Sequence, residues 1–233
     1  MAKIEIPDGR IYTYKVHTLY LGVKQINKSQ AKENLLLLKK IADRNGLRFA
    51  LAFGTALGAV REHDFIEHDE DIDLWVHYSS INLLLSLLFE LRDNGFEVAR
   101  WDRRGFLSII RKNEYIDLYV YYPDDRAENI MSCCGDPMPQ KFVEEWIKIP
   151  FLGEQFYIAK DWEEMMLFRY GKSWRIPVPY TDFNVSGISK VLSIVKEHVK
   201  NLLPSFVYTI VYKRLDKKKL ERYLYRLDRF NNL

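Results

Sequence analysis

An acidic cluster that runs directly into an apolar segment constrains this chain more than any other feature. Residues 69–73 carry four carboxylates, and the apolar residues 74–76 that follow predict a buried β-strand. Side chains two residues apart in a strand project from the same face, so Asp71 and Asp73 are expected side by side. Two neighbouring carboxylates repel each other unless a cation lies between them. The pattern therefore predicts a site for Mg²⁺, or for Mn²⁺ in its place, that also holds substrate phosphates.

A second apolar run contains a further aspartate. An acidic run alone is most often a solvated loop, and residues 69–71 by themselves would be interpreted that way. Asp117 favours a functional site over a solvated loop because it lies inside the apolar run 115–122. A charge is rarely buried in such a run without a partner. If the two strands are neighbours, Asp71, Asp73 and Asp117 form one metal-binding group.

A segment of small residues precedes the acids. Gly54 and Thr55 are expected to form a turn whose backbone N–H groups approach phosphates, because glycine allows close contact and the following helix offers its positive end. A Gly-Thr pair alone is more often an ordinary turn; its distance from the acids gives it weight here. Arg61 could bind a phosphate with both guanidinium nitrogens, or it could form an ion pair that anchors the acidic loop.

The periodicity of apolar residues predicts an α/β (α+β) fold, a small mixed sheet flanked by helices. Residues 1–28 form a turn-rich entry, and Ser29 is the expected N-cap of the first helix. The predicted order is helix 30–45, strand 47–53, helical turn 56–61, strand 71–77, helix 80–94, and strands 96–100, 106–111 and 115–122.

After these elements the apolar residues no longer follow a clear helix or strand periodicity. Residues 123–142 are expected to be a long loop, followed by a hairpin of 146–150 with 155–158 and a helix over 162–170 capped by Asp161. Residues 173–184 are expected to wrap the core. Two helical stretches separated near Pro204 follow. We therefore divide the chain into a catalytic domain, 1–185, and a helical basic appendage, 186–233.

Composition narrows the functional classes. The 233 residues carry a net charge of only +3, which is too small to indicate nucleic-acid binding. Cys133 and Cys134 are adjacent, seldom bridge each other, and have no other cysteine to pair with, which favours a reducing compartment. The amino terminus lacks the apolar stretch of a secretory signal. We therefore expect a cytoplasmic protein.

Two motifs carry a family resemblance. The segment Gly54-Thr55-x-Leu57-Gly58-Ala59-Val60-Arg61, then Phe65-Ile66, then Asp69-x-Asp71-Ile72-Asp73, resembles the signature of the LicD/fukutin family. The later Arg169-Tyr170-Gly171-x-x-Trp174-x-x-Pro177 is similar to the element that closes the family's core. The resemblance implies a nucleotidyltransferase fold of the DNA polymerase beta type. It also implies transfer of phosphocholine, ribitol phosphate or glycerol phosphate from a CDP-linked donor to a glycan hydroxyl.

The resemblance also implies roles for single residues. Asp71 and Asp73 would hold Mg²⁺, and Asp117 would be a metal ligand, the general base for the acceptor hydroxyl, or both. Gly54, Thr55 and Arg61 would approach the donor phosphates. Arg169 and Trp174 would contact the donor, with the alternative that Trp174 only packs a helix onto the sheet.

The tail leaves alternatives open. Residues 213–229 contain eight Lys or Arg against three Asp or Glu, interleaved with apolar residues at helical spacing. Such a helix could lie on an anionic membrane that carries a lipid-linked glycan acceptor, at the inner face, or it could pack on the domain as a solvated helix. Two rival functions remain: a nucleotidyltransferase that adds NMP to a small molecule or protein, and a catalytically silent nucleotide-binding domain.

Overall fold

The computed structural model describes residues 1–17, 24–178 and 203–231, together with residues 191, 192, 195 and 199. The strands are β1 (Ala2–Glu5), β2 (Ile11–Tyr14), β3 (Phe49–Leu51), β4 (Ile72–His77), β5 (Glu97–Asp102), β6 (Phe106–Arg111), β7 (Glu114–Pro123), β8 (Ile130–Cys133), β9 (Asp136–Pro139), β10 (Trp146–Phe151) and β11 (Glu154–Ala159). The helices are α1 (Lys28–Asn45), α2 (Phe53–Arg61), α3 (Ile81–Ser86), α4 (Leu88–Asp93), α5 (Gln140–Glu144), α6 (Trp162–Tyr170) and α7 (Ser205–Asn231), with a 3₁₀ turn at Tyr78–Ser80.

A mixed sheet flanked by helices forms the centre of the molecule, which confirms the predicted fold class. Its strands follow the order β10-β11-β3-β4-β7-β6-β5, and β8 and β9 extend it from the end of β7. The parallel pair β4 and β7 lies in the middle, with β3 antiparallel to β4 and β6 antiparallel to β7. Parallel strands are usually buried on both faces, and the near-continuous apolar sequences of β4 and β7 fit that position.

The first predicted helix begins at another residue than expected, and the first predicted strand, 47–53, is shorter than expected. Asn27, not Ser29, caps α1: its side-chain oxygen accepts a hydrogen bond from the Gln30 N–H at 3.1 Å, so Ser29 lies inside the helix. The predicted strand over 47–53 is shorter, because Phe53 already begins α2. Gly54 and Thr55 therefore lie in the first turn of a helix and not in a separate turn.

Three other predicted elements also differ. The helix predicted over 80–94 is split into α3 and α4 at Leu87, whose N–H shares its hydrogen bond between the carbonyls of Leu83 and Leu84. Residues 1–28 contain the hairpin of β1 and β2. Residues 123–142 are not a long loop: β8 and β9 form a hairpin there, and α5 follows. The two residues in the turn between β8 and β9, Cys134 and Gly135, have φ of 51° and 74°, as a tight hairpin turn requires.

The predicted hairpin and the helix after it are confirmed. Strands β10 and β11 pair from Trp146 to Ala159, and α6 spans the predicted residues. Asp161 occupies the N-cap position of α6, but its side chain makes no capping hydrogen bond. The first of the two predicted C-terminal helical stretches lies mostly outside the described residues, as does the proposed domain boundary at 185, which stays a prediction.

Helix α7 packs against the sheet domain. The Arg104 guanidinium donates to Asp216 at 2.9 Å and lies 3.8 Å from the ring centre of Tyr212, and the Tyr208 hydroxyl donates to buried Asp102. A small apolar cluster joins other residues of α7 to β8. Within the described part of the chain, no helix combines the length and the apolarity that a bilayer crossing needs.

Candidate active site

The three aspartates predicted from the sequence meet at the start of the central parallel pair. Asp73 on β4 lies opposite Asp117 on β7, and Asp71 lies just before β4. Each offers a carboxylate oxygen within 4.8 Å of the others. Asp73 and Asp117 are buried, with 8% and 3% of their surface exposed, and Asp71 is half-buried. The sheet register therefore brings Asp73 and Asp117 together, and Asp71 joins them from the end of the acidic loop.

The amino-terminal turn of α2 lies directly beside this group. The Gly54 N–H donates to the Asp73 carboxylate at 3.3 Å, and the buried Thr55 hydroxyl accepts from the Asp73 N–H at 2.9 Å. A Cβ on Gly54 would lie 2.2 Å from a carboxylate oxygen of Asp69, so the Asp69 side chain can approach this closely only because residue 54 is glycine. The positive end of α2 and its first N–H groups, which have no acceptor within the helix, thus face the acids.

Burial and mutual repulsion shape the protonation of the acids. Burial raises the pKa of Asp71 and Asp73 well above the usual range, and the neighbouring carboxylates add to both shifts. Burial raises the pKa of Asp69 to about 6. Burial also raises the pKa of Asp117, against the opposing effect of Arg100. Because burial and mutual repulsion disfavour the charged form of these carboxylates, a bound cation would stabilise the site.

An aromatic wall encloses the site. Phe53 begins α2 with φ of 40°, which is unusual for a bulky residue and costs about 1–3 kcal/mol. Its ring packs edge-on against Trp75 and Tyr119, with ring centres 5.7 and 5.0 Å away. Tyr119 also hydrogen-bonds to Asp73, which lowers the pKa of that carboxyl against the larger effect of burial. Strained backbone is typical of functional sites, where the surrounding packing holds it.

Two polar residues that the sequence analysis did not identify lie beside the carboxylates on the next two strands of the sheet. Ser108 on β6 lies opposite Asp117, and Arg100 on β5 lies opposite Ser108. Arg100 donates to the Asp117 carboxylate at 3.0 Å and to the Ser108 hydroxyl at 3.1 Å, and Ser108 donates to Asp117. Neither residue belongs to a sequence motif, and only the strand register reveals them.

Arg169 approaches the site from α6. Its guanidinium lies 4.2 Å from the ring centre of Phe53 and 3.5 Å from the Asp136 carboxylate. The Tyr121 hydroxyl donates to the same carboxylate at 2.8 Å, which fixes Asp136 in place. The charge of Asp73 is close enough to raise the pKa of Arg169 further. This arrangement places a cation near the acidic group, whereas contact of Arg169 with a donor stays a prediction.

Arg61 and Trp174 contact each other. Arg61 donates to the Trp174 carbonyl at 3.1 Å and forms an ion pair with Glu62 at 2.8 Å. The Trp174 ring is 5% exposed and packs edge-on against Trp162. Both therefore hold the segment after α6 against α2. Direct contact of either residue with a donor stays a prediction.

The donor set fits a hard divalent cation. Three carboxylates converge from two rigid strands, and hard oxygen ligands of this kind suit Mg²⁺, which is held by carboxylates together with substrate phosphates. Among the described residues, the cation found on this group is Arg100, and it pairs with Asp117. Asp71 and Asp73 would be the natural ligands, with Asp117 as the third.

A comparison with protein families identifies the domain. Residues 46–160 match the family described as LicD/FKTN/FKRP, nucleotidyltransferase domain. The match includes α2, the acidic loop and all three aspartates. Residues 46–160 belong to the LicD/fukutin family. The second motif, 169–177, lies beyond the match, so its role in LicD/fukutin chemistry stays a prediction.

Individual relatives agree with the LicD/fukutin assignment. The chain is 26% identical over 170 residues to Ribitol-5-phosphate transferase FKTN of Macaca fascicularis and to that of Homo sapiens, covering 68% of this chain and 36% of each relative. It is 23% identical over 177 residues to Uncharacterized protein T07A5.1 of Caenorhabditis elegans, covering 70% of this chain and 45% of the relative. The chain thus spans less than half of the length of these curated relatives.

Solved structures show a looser likeness. The lincosamide antibiotic adenylyltransferase LnuA is 12% identical with a TM-score of 0.43, over 60% of this chain and 85% of that one. The antibiotic-resistance factor ANT(2'')-Ia is 15% identical with a TM-score of 0.47, over 88% of this chain and 100% of that one.

Proposed function

We propose that this protein is a Mg²⁺-dependent transferase that moves a phospho-alcohol from a CDP-linked donor to a hydroxyl of a cell-surface glycan or its precursor. The carboxylates of Asp71, Asp73 and Asp117, within 4.8 Å of one another beside the positive end of a helix, carry this proposal. Membership of the LicD/fukutin family supports it. Ribitol phosphate is the first group to test, because two relatives are named ribitol-5-phosphate transferases; phosphocholine and glycerol phosphate are the alternatives.

The chain's own groups would bind and orient the donor. A bound Mg²⁺ would neutralise the diphosphate and stabilise the CMP leaving group. The N–H groups in the first turn of α2, including that of Gly54, which donates to Asp73 in the free protein, would approach the phosphates. Thr55 would act indirectly by fixing the backbone of Asp73. Arg169, held by Asp136, would add positive charge on the α6 side.

The transfer would be an in-line displacement. The acceptor oxygen forms a bond to the phosphorus that carries the alcohol, and the bond from that phosphorus to the bridging oxygen breaks. CMP leaves with the electron pair, and the hydroxyl proton passes to Asp117 or to water. The hydrogen bonds from Ser108 and Arg100 would hold Asp117 in position for this task.

The tail supports a location at a membrane surface. Helix α7 turns Tyr208, Leu220 and Tyr223 into the domain but leaves Phe206 and Ile210 more than half exposed. Several lysines and arginines lie on the same helix. A cytoplasmic protein whose basic helix touches the inner face of an anionic membrane would meet a lipid-linked glycan acceptor there.

A donor screen tests the proposal. Purified protein with MgCl₂ is incubated with CDP-ribitol, CDP-glycerol, CDP-choline, CTP or ATP, and thermal stabilisation and released CMP or pyrophosphate are measured. We expect one CDP-alcohol to stabilise the protein and CMP to be released when acceptor glycan is added. Asp73→Asn should lower turnover about 100-fold or more without unfolding the protein. Asp124→Asn, which alters an aspartate outside the group, is the matched control.

Three results would contradict the proposal. Turnover of the Asp73→Asn protein near the wild-type value would refute the metal assignment. Pyrophosphate release from CTP or ATP, with no response to any CDP-alcohol, would indicate that the protein is a nucleotidyltransferase that transfers NMP. Binding without any turnover would favour a silent nucleotide-binding domain.

A further inference from the structure

Four directly opposed residues form a polar row across the centre of the sheet. From β4 to β5 these are Asp73, Asp117, Ser108 and Arg100, each facing its neighbour across one strand boundary. Opposed residues of paired strands project from the same face. Because adjacent strands lie about 4.8 Å apart, the row extends over about 14 Å. Arg100 thus lies at the far end of the row from Asp73, and its side chain reaches past Ser108 to Asp117.

A β-bulge places Arg100 in this row. Val98 pairs with Ile109, but Arg100 pairs with Ser108, so β5 advances two residues while β6 advances one. Without the extra residue, Ala99 would oppose Ser108, and the arginine would project from the other face. Bulges are over-represented next to active sites, where they redirect a side chain. The backbone of β5 therefore departs from regularity at the residue that turns Arg100 toward the aspartates.

The guanidinium of Arg100 is only partly engaged. Nη2 donates to Asp117, Nε donates to Ser108, and the planar group lies 4.7 Å from the ring centre of Phe106. The side chain is 28% exposed, and Nη1 donates no hydrogen bond to any of the described residues. One edge of a preorganised fork thus remains open beside the proposed metal ligands. A guanidinium in this position matches a phosphoryl oxygen.

The charge balance favours an exchange of partners. Asp117 is at once the partner of Arg100 and the third carboxylate of the proposed metal group. A bound cation neutralises part of the charge of Asp117. The partly buried guanidinium of Arg100 then loses part of its electrostatic stabilisation, which a new anion can restore. Arg100 lies on the opposite side of Asp117 from the start of α2, where the donor phosphates would first be held.

We propose that Arg100 is a substrate-binding residue: it pairs with Asp117 in the free protein and with an oxygen of the transferred phosphoryl group in the donor complex. This inference rests on the transferase function proposed above. In CDP the terminal phosphate stands in for the transferred group, whereas CMP lacks it. Loss of the arginine should therefore weaken the binding of CDP and leave that of CMP nearly unchanged.

The chain offers a closely matched control. Arg126 donates to Asp124 at 2.6 Å, the Ser132 hydroxyl donates to the same carboxylate, and the Arg126 side chain is also 28% exposed. This second arginine, aspartate and serine cluster lies at the opposite end of β7 from Asp117, and Asp124 does not belong to the metal group. Arg126→Gln therefore removes the same kind of ion pair away from the site.

The test is isothermal titration of the full chain with CDP and with CMP in 10 mM MgCl₂, and with MgCl₂ alone. We expect Arg100→Gln to weaken CDP binding about 10- to 100-fold while CMP binding changes less than about twofold. The variant should also bind Mg²⁺ at least several-fold more tightly, because a competing cation is gone. Arg126→Gln should change none of these affinities. A merely structural role for Arg100 would lower both the Mg²⁺ and the CDP affinity.

Every other outcome overturns the proposal. Equal weakening of CDP and CMP binding, unchanged CDP binding, or weaker Mg²⁺ binding in Arg100→Gln would each do so while the transferase function stands. A wild-type protein that binds neither CDP nor CMP would refute the proposed donor and this role of Arg100 together. If Arg100→Gln does not fold, Arg100→Lys keeps the charge but loses the fork, and the same ratio of CDP to CMP affinity decides.

Discussion

Replacing Asp71 by asparagine should stabilise the metal-free protein at neutral pH and at the same time remove its response to Mg²⁺. Burial raises the pKa of Asp71 well above the usual range, and Asp73 and Asp117 raise it further. At an effective dielectric constant of 20, two charges 4.8 Å apart repel by about 3.5 kcal/mol. Relaxation and the charge of Arg100 reduce this value. We expect a gain in unfolding free energy of about 2–3 kcal/mol, or a rise in Tm of about 4–12 °C.

The sign of the pH dependence distinguishes this cause from a packing effect. A carboxyl group whose pKa is raised in the folded state costs nothing below its unfolded pKa, and the cost grows as pH rises toward the folded pKa. The gain from Asp71→Asn in EDTA should therefore be larger at pH 8 than at pH 5. Asp124 is the opposite case, since Arg126 lowers its pKa to about 2. Asp124→Asn should lower the unfolding free energy by on the order of 1–2 kcal/mol at both pH values.

Thermal unfolding in EDTA and in 5 mM MgCl₂, at pH 5 and pH 8, measures all of these effects. Wild-type protein should gain stability from Mg²⁺, and the Asp71→Asn variant should gain little. The reasoning is refuted if Asp71→Asn is less stable than wild type at pH 8 in EDTA, or if its gain is the same at both pH values. An undiminished Mg²⁺ response would remove Asp71 from the ligand set.

Three further changes test the local structure. Gly58→Ala would place a Cβ 2.5 Å from the Asp64 carbonyl oxygen, so chemical denaturation should show a loss of about 1–3 kcal/mol. Asn27→Ala should cost about 1 kcal/mol of stability in the same assay, whereas Ser29→Ala should be nearly neutral. Arg104→Gln removes the ion pair to α7, so limited trypsin digestion should cleave that helix faster than in the wild-type protein; an unchanged rate would contradict the role given to this contact.

The acidic centre could be predicted because its cause is local. Alternation within one strand puts Asp71 and Asp73 together, and a charge inside the apolar run 115–122 needs a partner wherever the strand lies. Neither the parallel pairing of β4 and β7 nor the register that places Asp117 opposite Asp73 could be predicted from the sequence, because a shift of one residue would turn Asp117 to the other face of the sheet. Local pattern and fold agree at these three residues.

The remainder of the site depends on register, which the sequence does not encode locally. Arg100 reaches Asp117 only because of a one-residue bulge, and a regular strand would turn it away. Asp136 supports Arg169 only because residues 123–142 form a hairpin, and Pro137 and Pro139 obscure the strand pattern there. A two-residue Cys-Gly turn between short polar and apolar runs was the one signal that could have indicated it.

The places where local rules fail coincide with the site. Phe53 keeps a backbone conformation that a bulky residue avoids, β5 is irregular at Arg100, and three carboxylates crowd together without enough positive charge. Each feature costs stability, and each is held by surrounding packing, such as the aromatic contacts of Phe53 with Trp75 and Tyr119. A chain selected for stability alone would remove all three. Their concentration within one segment of the sheet therefore supports the proposal that this surface binds a cation and a phosphorylated substrate.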